Sequence, residues 1–211
     1  VGRFVSEPRI GSRVWTDGPG LERSEIVGRT RRVLNRGRWG NADVLLVDAP
    51  QGPVVVKDFA PRGWLVRRIL GPWLLTREAL AYRRLDGMHA VPRLLGRLDA
   101  EALVFAYRPG ILLSRSLRGR LPEGFLEELS EAIAEMHRRG VVHLDLRHRS
   151  NILADDEGHP ILLDFASSLR VDPRNRVGRW LLGFLGQLDR RALEKWRARL
   201  EEPKATEGSG A

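Results

Sequence analysis

The chain has 211 residues, 42% of them hydrophobic, enough to build one large or two small packed domains. It carries no cysteine, which excludes disulfide staples and thiolate metal sites and makes a reducing cytoplasm the expected compartment; no eighteen-residue apolar run reads as a membrane span. A formal net charge of +9 points to an anionic partner.

In chain order, residues 1–25 are polar and rich in Gly, Pro and Ser, which reads as a loose N-terminal arm. Strand-type residues dominate from Ile26 to Phe59. Among them lies Asn35-Arg36-Gly37-Arg38-Trp39-Gly40-Asn41-Ala42. Gly37 and Gly40 would let backbone N–H groups approach phosphate oxygens, and Asn35 could supply left-handed backbone; by itself the stretch also reads as a plain hairpin loop. After the turn Ala49-Pro50-Gln51-Gly52, the run Pro53-Val54-Val55-Val56 ends on Lys57. Of 36 basic residues only Lys57, Lys195 and Lys204 are lysines, and the last two lie in the charged C-terminal region. An ammonium on a buried strand demands a compensating anion, and a compact point charge suits phosphate; the alternative is a solvated lysine on an edge strand.

Leu75, Ala79 and Tyr82 recur at helical spacing, so one face of a helix there packs inward. Glu78 borders that face, available either to a buried cation or to a surface helix pair near Arg83. Ala102-Leu103-Val104-Phe105-Ala106-Tyr107 is a buried strand ending at the turn Arg108-Pro109-Gly110. From Pro122 to Arg139, the stripe Phe125, Leu126, Leu129, Ala132, Ile133 and Met136 predicts a buried amphipathic helix. Gly140 stops it, and Arg138 and Arg139 suit its dipole. Residues 201–211 read as disordered by composition.

The helix delivers the chain into Val141–Phe165, VVHLDLRHRSNILADDEGHPILLDF. Asp145 and Asn151 fall on a loop, and Asp164 closes the apolar run from Pro160 to Leu163 after a turn at Asp155-Asp156-Glu157-Gly158. Three hard oxygen donors can thereby converge, which is what Mg²⁺ requires. The structural alternative is a set of ordinary turn carboxylates at strand ends.

His143-Leu144-Asp145-Leu146, Asn151 and Asp164-Phe165-Ala166 together resemble the protein-kinase-like superfamily pattern H-R-D-L-x-x-x-N followed by D-F-G. The resemblance covers about residues 30–170. It implies an α+β, bilobal protein-kinase-like fold with an antiparallel-sheet N-lobe over 26–107 and a minimal, mainly helical C-lobe over 108–200. It implies ATP and Mg²⁺ as cofactors, Asp145 as catalytic base and Arg147 facing the γ-phosphate. Asn151 and Asp164 become metal ligands. Lys57 would pair the α- and β-phosphates and Glu78, Gly37 and Gly40 would stand for two of three glycines in G-x-G-x-x-G, and the backbone from Phe105 to Tyr107 would form the hinge that meets adenine. The absence of an A-P-E motif makes the chain most similar to compact RIO-type kinases and to lipopolysaccharide-core kinases acting on heptose or Kdo.

Three departures stand out. The step from Asp145 to Asn151 is one residue longer than the pattern, Leu144 replaces its Arg, and Ala166 replaces its Gly. Regulation through a phosphorylated activation loop is therefore not expected. The expected activity is γ-phosphate transfer to a protein Ser/Thr or a lipopolysaccharide-core sugar, the alternative being a catalytically silent nucleotide-binding scaffold. The expected partner is an anionic acceptor, glycolipid or protein; nucleic acid ranks last because aromatic-rich RNA-binding motifs are missing. Two stretches, Trp64 to Leu75 and Arg179 to Leu185, mix Trp, aliphatics and Arg as helices on a membrane surface do, or pack as core helices with solvated arginines. The first reading would place the protein peripherally on the inner face of the cytoplasmic membrane.

Overall fold

The computed structural model describes residues 20–200; the expected tail 201–211, and the expected arm up to residue 19, lie outside the described residues. By internal packing the chain divides into two compact units, residues 20–72 with 95–107 and residues 73–94 with 108–200.

The first unit opens on a short helix, α1 (Ile26–Arg29), and continues as β1 (Thr30–Asn35), β2 (Asp43–Ala49), β3 (Gly52–Asp58), β4 (Leu94–Asp99) and β5 (Ala102–Ala106). These strands form one sheet in the order β1-β2-β3-β5-β4. The β2–β3 hairpin turns through Pro50 and Gln51 and pairs Ala49 with Gly52, as the Pro-Gln-Gly signal predicts. Strand alternation then sorts the valines. Val54 and Val56 are fully buried with Val47, Ala102 and Val104 in the core, while Val55 and Lys57 stand on the other face. Each fully buried valine contributes about 1.5–3 kcal/mol, so the hydrophobic run by itself fixes the register.

Residues 20–25, read from composition as the end of an arm, are tied to this sheet. Leu21 lies in its core, and Arg23 bridges Asp58 at 2.7 Å and Asp99 at 2.6 Å. Beyond β3, Val66–Leu70 runs as a π-helical turn in which Arg67 and Arg68 both reach Glu101, at 2.7 and 3.5 Å.

The second unit comprises α2 (Gly71–Arg84, from Trp73 onward), β6 (Gly110–Leu112), α3 (Phe125–Arg138), β7 (Val141–Val142), β8 (Ile152–Asp155), β9 (Pro160–Leu162), β10 (Leu169–Arg170) and α4 (Arg176–Leu200). The stripe read from sequence is the buried face of α3. The helix ends as expected: Gly140 takes φ +74 and donates its N–H to the His137 carbonyl at 2.8 Å, a geometry that a Cβ would strain. β6, β8 and β9 form a three-stranded antiparallel sheet, and β7 pairs with β10. The architecture is mixed α+β, with an antiparallel sheet early in the chain and helices later.

Candidate active site

The loop after β7 is organised by buried polar groups. His143 is fully buried, its Nε2 hydrogen-bonded to the Leu163 carbonyl at 2.9 Å and its Nδ1 facing the Asp145 N–H at 3.4 Å. One nitrogen donates and the other accepts, so the ring is the neutral tautomer protonated at Nε2. Burial holds its pKa below the usual histidine value and outweighs the Leu163 hydrogen bond and the charges of Asp189, Asp164 and Asp145.

Leu144 adopts φ +69, a left-handed conformation costing a side-chain-bearing residue roughly 1–2 kcal/mol. Asp189 of α4 holds it there, accepting from the Leu144 N–H at 2.9 Å and from the His143 N–H at 2.8 Å. Each hydrogen bond to a charged group is worth about 1.5–3 kcal/mol, so the restraint exceeds the strain. The carboxylate of Asp189 is completely buried, and the ring Nε2 of His137 completes its partners at 2.9 Å.

Asp145 follows, half-buried, and Asn151 locks onto it: the Asn151 amide donates to the Asp145 carbonyl at 2.9 Å and to its Oδ2 at 3.0 Å. The additional residue between them is taken up by two tight turns, His148 N–H to the Asp145 carbonyl at 3.3 Å and Asn151 N–H to the His148 carbonyl at 3.1 Å. Asn151 is thus brought to Asp145 despite the longer loop. Arg147 projects from the first turn into solvent.

The β8–β9 hairpin brings Asp164 back beside Asn151. Ile152 pairs with Leu162, and the Leu163 N–H donates to the Asn151 carbonyl at 2.9 Å. Asp164 then turns left-handed (φ +59), its exposed carboxylate accepting from the Ala166 N–H at 3.3 Å. Phe165 is fully buried, edge-on to Tyr82 at 5.0 Å and tilted against His143 at 4.7 Å. Tyr82 also hydrogen-bonds the Asp164 backbone; burial first, then the charges of Glu78 and Asp164, push its hydroxyl pKa well up, so it stays protonated. Glu78, expected at the border of the α2 face, lies inside it at 1% exposure, which rules out the surface pair with Arg83.

In the first unit, Lys57 lies opposite Val44 of β2 and Leu103 of β5, half-buried on the sheet face that also carries Val55 and Phe105. Tyr107 lies past the last strand pair, Val54 with Ala106. Gly37 is required by its own loop: a Cβ there would stand 2.1 Å from the Asn41 carbonyl oxygen. Its N–H donates to Asp43 at 2.8 Å, its carbonyl accepts from Arg62 at 2.7 Å, and Arg62 also pairs with Asp43. The left-handed residue of the loop is Trp39 (φ +51), not Asn35, which ends β1 as a strand residue. Gly40 meets only the Leu70 side chain, at 3.8 Å.

Sequence reasoning missed Asp189 and Trp196, and placed Tyr82 on a buried face without its contact to Phe165. Trp196 donates its indole N–H to the Leu146 carbonyl at 2.9 Å, so α4 grips the loop on both sides of Asp145. A signal was available: Asp189 shares helical spacing with Ala192, Leu193 and Trp196, an acid on an apolar face.

A sheet of antiparallel strands followed by helices, with His143, Asp145, Asn151 and Asp164 gathered on one loop and hairpin, is consistent with a kinase-like fold. No family model matches the chain. The chain is 33% identical over 111 residues, 49% of its length, to the Oryza sativa subsp. japonica protein named "Putative CBL-interacting protein kinase 13". It is 30% identical over 160 residues, 69% of its length, to "Probable serine/threonine-protein kinase PkwA" of Thermomonospora curvata. These matches cover 22% and 20% of the two proteins, so the chain spans about a fifth of the length of the curated relatives it matches. This partial similarity to Ser/Thr protein kinases supports placement in the protein-kinase-like superfamily.

Proposed function

We propose that the chain transfers the γ-phosphate of Mg²⁺-ATP to a hydroxyl, foremost that of a protein Ser or Thr. The observation that carries this reading is the double hydrogen bond from Asn151 to Asp145, next to the hairpin that returns Asp164.

In this reading Asp145 accepts the proton of the attacking hydroxyl as the new O–P bond forms and ADP leaves. Arg147, exposed beside it, faces the γ-phosphate. Lys57 holds the α- and β-phosphates with Glu78 as its partner, Gly37 and Gly40 lie over the phosphates, and the Phe105–Tyr107 backbone meets adenine. The donor chemistry fits a magnesium ion: Asp164 and Asn151 offer hard oxygens, and phosphate and water oxygens complete such a site. Among the described residues no group of three or more His, Cys, Asp or Glu side chains is placed to hold a metal ion. When bound, Mg²⁺ would neutralise charge developing on the transferred phosphoryl group.

A second reading, a silent nucleotide-binding scaffold, is favoured by one observation: the Gly37 N–H that would face phosphate is already given to Asp43. Transfer of labelled γ-phosphate separates the two. The purified chain is incubated with Mg²⁺-ATP and a bacterial envelope extract, protein is separated from glycolipid, and Asp145→Asn serves as blank. Label in protein supports the Ser/Thr reading, label in glycolipid moves the acceptor to a lipopolysaccharide-core sugar, and label no higher than the blank supports the scaffold.

A further inference from the structure

The first half of α4 faces outward with residues a protein surface ordinarily hides. Val177, Trp180, Phe184 and Leu188 recur at steps of three and four, one helical face, and are 67%, 65%, 59% and 43% exposed. Trp180 and Phe184 stack on each other, centroids 5.8 Å apart and planes within 5° of parallel. The opposite face of α4 holds Asp189 and Trp196 against the catalytic loop, so packing within this unit leaves the stripe uncovered.

The charge around the stripe is predominantly positive, with exposed acids only at its ends, Asp172 and Glu194. Arg174, Arg176, Arg179, Arg190 and Arg191 are exposed in or beside it, and the sole acid between residues 173 and 193 is Asp189, whose carboxylate is buried and fully engaged. The other stretch of Trp, Leu and Arg, around Trp64, differs, since its Arg67 and Arg68 both turn to Glu101. Along α4 the arginines near the aromatics are left to solvent, apart from Arg179, which donates to the Arg174 carbonyl at 2.9 Å, and Arg190, which donates to the Gly183 carbonyl at 3.2 Å. Both contacts are to carbonyls and leave the positive charge uncompensated.

We propose that this face of α4 docks on an anionic lipid bilayer. An apolar stripe with tryptophan at its centre and guanidiniums along its flanks matches the acyl boundary and the headgroup phosphates of such a surface at once. A second copy of the chain fits poorly, because a two-fold contact would set the arginines of one stripe against those of the other. Nucleic acid would satisfy the arginines but not the aliphatic Val177 and Leu188. No helix among the described residues is long and apolar enough to cross a membrane, so the contact is peripheral. Through Asp189 and Trp196, the helix that rests on lipid is also the one that holds the catalytic loop, which would present Asp145 to acceptors confined to the surface.

The test is flotation of the full chain, without nucleotide, with vesicles of equal parts phosphatidylglycerol and phosphatidylcholine or of phosphatidylcholine alone. It is therefore independent of any phosphotransfer. The wild type is expected to partition at least tenfold better onto the anionic vesicles. Arg176→Gln/Arg179→Gln should lower that partition by about 30-fold at low salt, and Trp180→Ser/Phe184→Ser by at least tenfold, both with unchanged thermal melts. Equal partition onto the two vesicle types, or an aromatic variant that floats as well as the wild type, would overturn the proposal. So would a wild-type dimer in sedimentation that the aromatic variant abolishes, which would assign the stripe to self-association.

Discussion

Asp189, in the middle of α4, accepts the backbone N–H of Leu144 at 2.9 Å across 45 residues of sequence and holds that leucine in a left-handed conformation, one residue before Asp145. The same carboxylate takes the His143 N–H and the His137 ring. The proposed base is thus aimed by a buried charge on a distant helix, and its alignment depends on the integrity of α4.

Asp189→Asn replaces one acceptor oxygen with an NH₂ that meets a donor. We expect about 3 kcal/mol of lost stability in urea unfolding, the scale for disrupting a buried, fully paired charge. Phosphotransfer should fall at least tenfold under conditions where the variant remains folded. A variant as stable as the wild type would show that the carboxylate does not hold the loop.

Asp145→Asn keeps the side-chain shape while removing the base. Transfer should drop to background while ATP affinity, measured by calorimetry, changes less than threefold, because the base acts on the acceptor and not on the nucleotide. Unchanged turnover would remove Asp145 from the mechanism.

Asp164 presents its carboxylate to solvent from a left-handed turn. Asp164→Asn should weaken Mg²⁺-ATP at least tenfold and metal-free ATP little. Equal losses in the two titrations would count against a metal-binding role.

Gly37 and Gly40 separate loop structure from ligand binding. Gly37→Ala drives a Cβ into the Asn41 carbonyl and should cost about 2 kcal/mol, the scale of overpacking. Gly40→Ala has only the Leu70 side chain nearby and should change stability by no more than about 0.5 kcal/mol. Matched urea midpoints for the two variants would contradict the close backbone approach at Gly37.

His143 sets a pH dependence of definite sign. Its folded pKa is depressed by burial, so the unfolded chain binds the proton first. The stability gained from the neutral ring is complete above the unfolded value of about 6.5 and is lost as pH falls below it toward the depressed folded value. His159, raised by its hydrogen bond to Glu128, acts in the opposite sense, its contribution fading as pH rises above that range. His143→Gln, which can still donate to the Leu163 carbonyl, should flatten the wild-type decline in melting temperature between pH 7 and 5. Parallel slopes for the two proteins would exclude His143 as its source.

The candidate catalytic segment could be located in the sequence because its geometry is local. His143, Asp145, Asn151 and Asp164 follow one another within a loop and a hairpin, and the turn at Asp155–Gly158 brings the last back to the third. The valine run of β3 and the α3 stripe were equally legible, since alternation and helical period write burial directly into residue order. Asn35 was misjudged: the loop takes its left-handed residue at Trp39, where closure around Gly37 overrides the general preference for Asn.

The sequence by itself determined the β2–β3 hairpin, the inward faces of α2 and α3, where the loop with Asp145 lies, and that Lys57 follows the valine run of β3. Only the tertiary structure decided that Asp189 and Trp196 secure that loop, that the Gly37 amide is given to Asp43, that Glu78 is buried, and that the aromatic stripe of α4 faces outward. The reason is range. Burial periodicity and turn chemistry act over a few residues and leave a trace in their order, whereas a hydrogen bond spanning 45 residues depends on how packed elements meet, which no local pattern records.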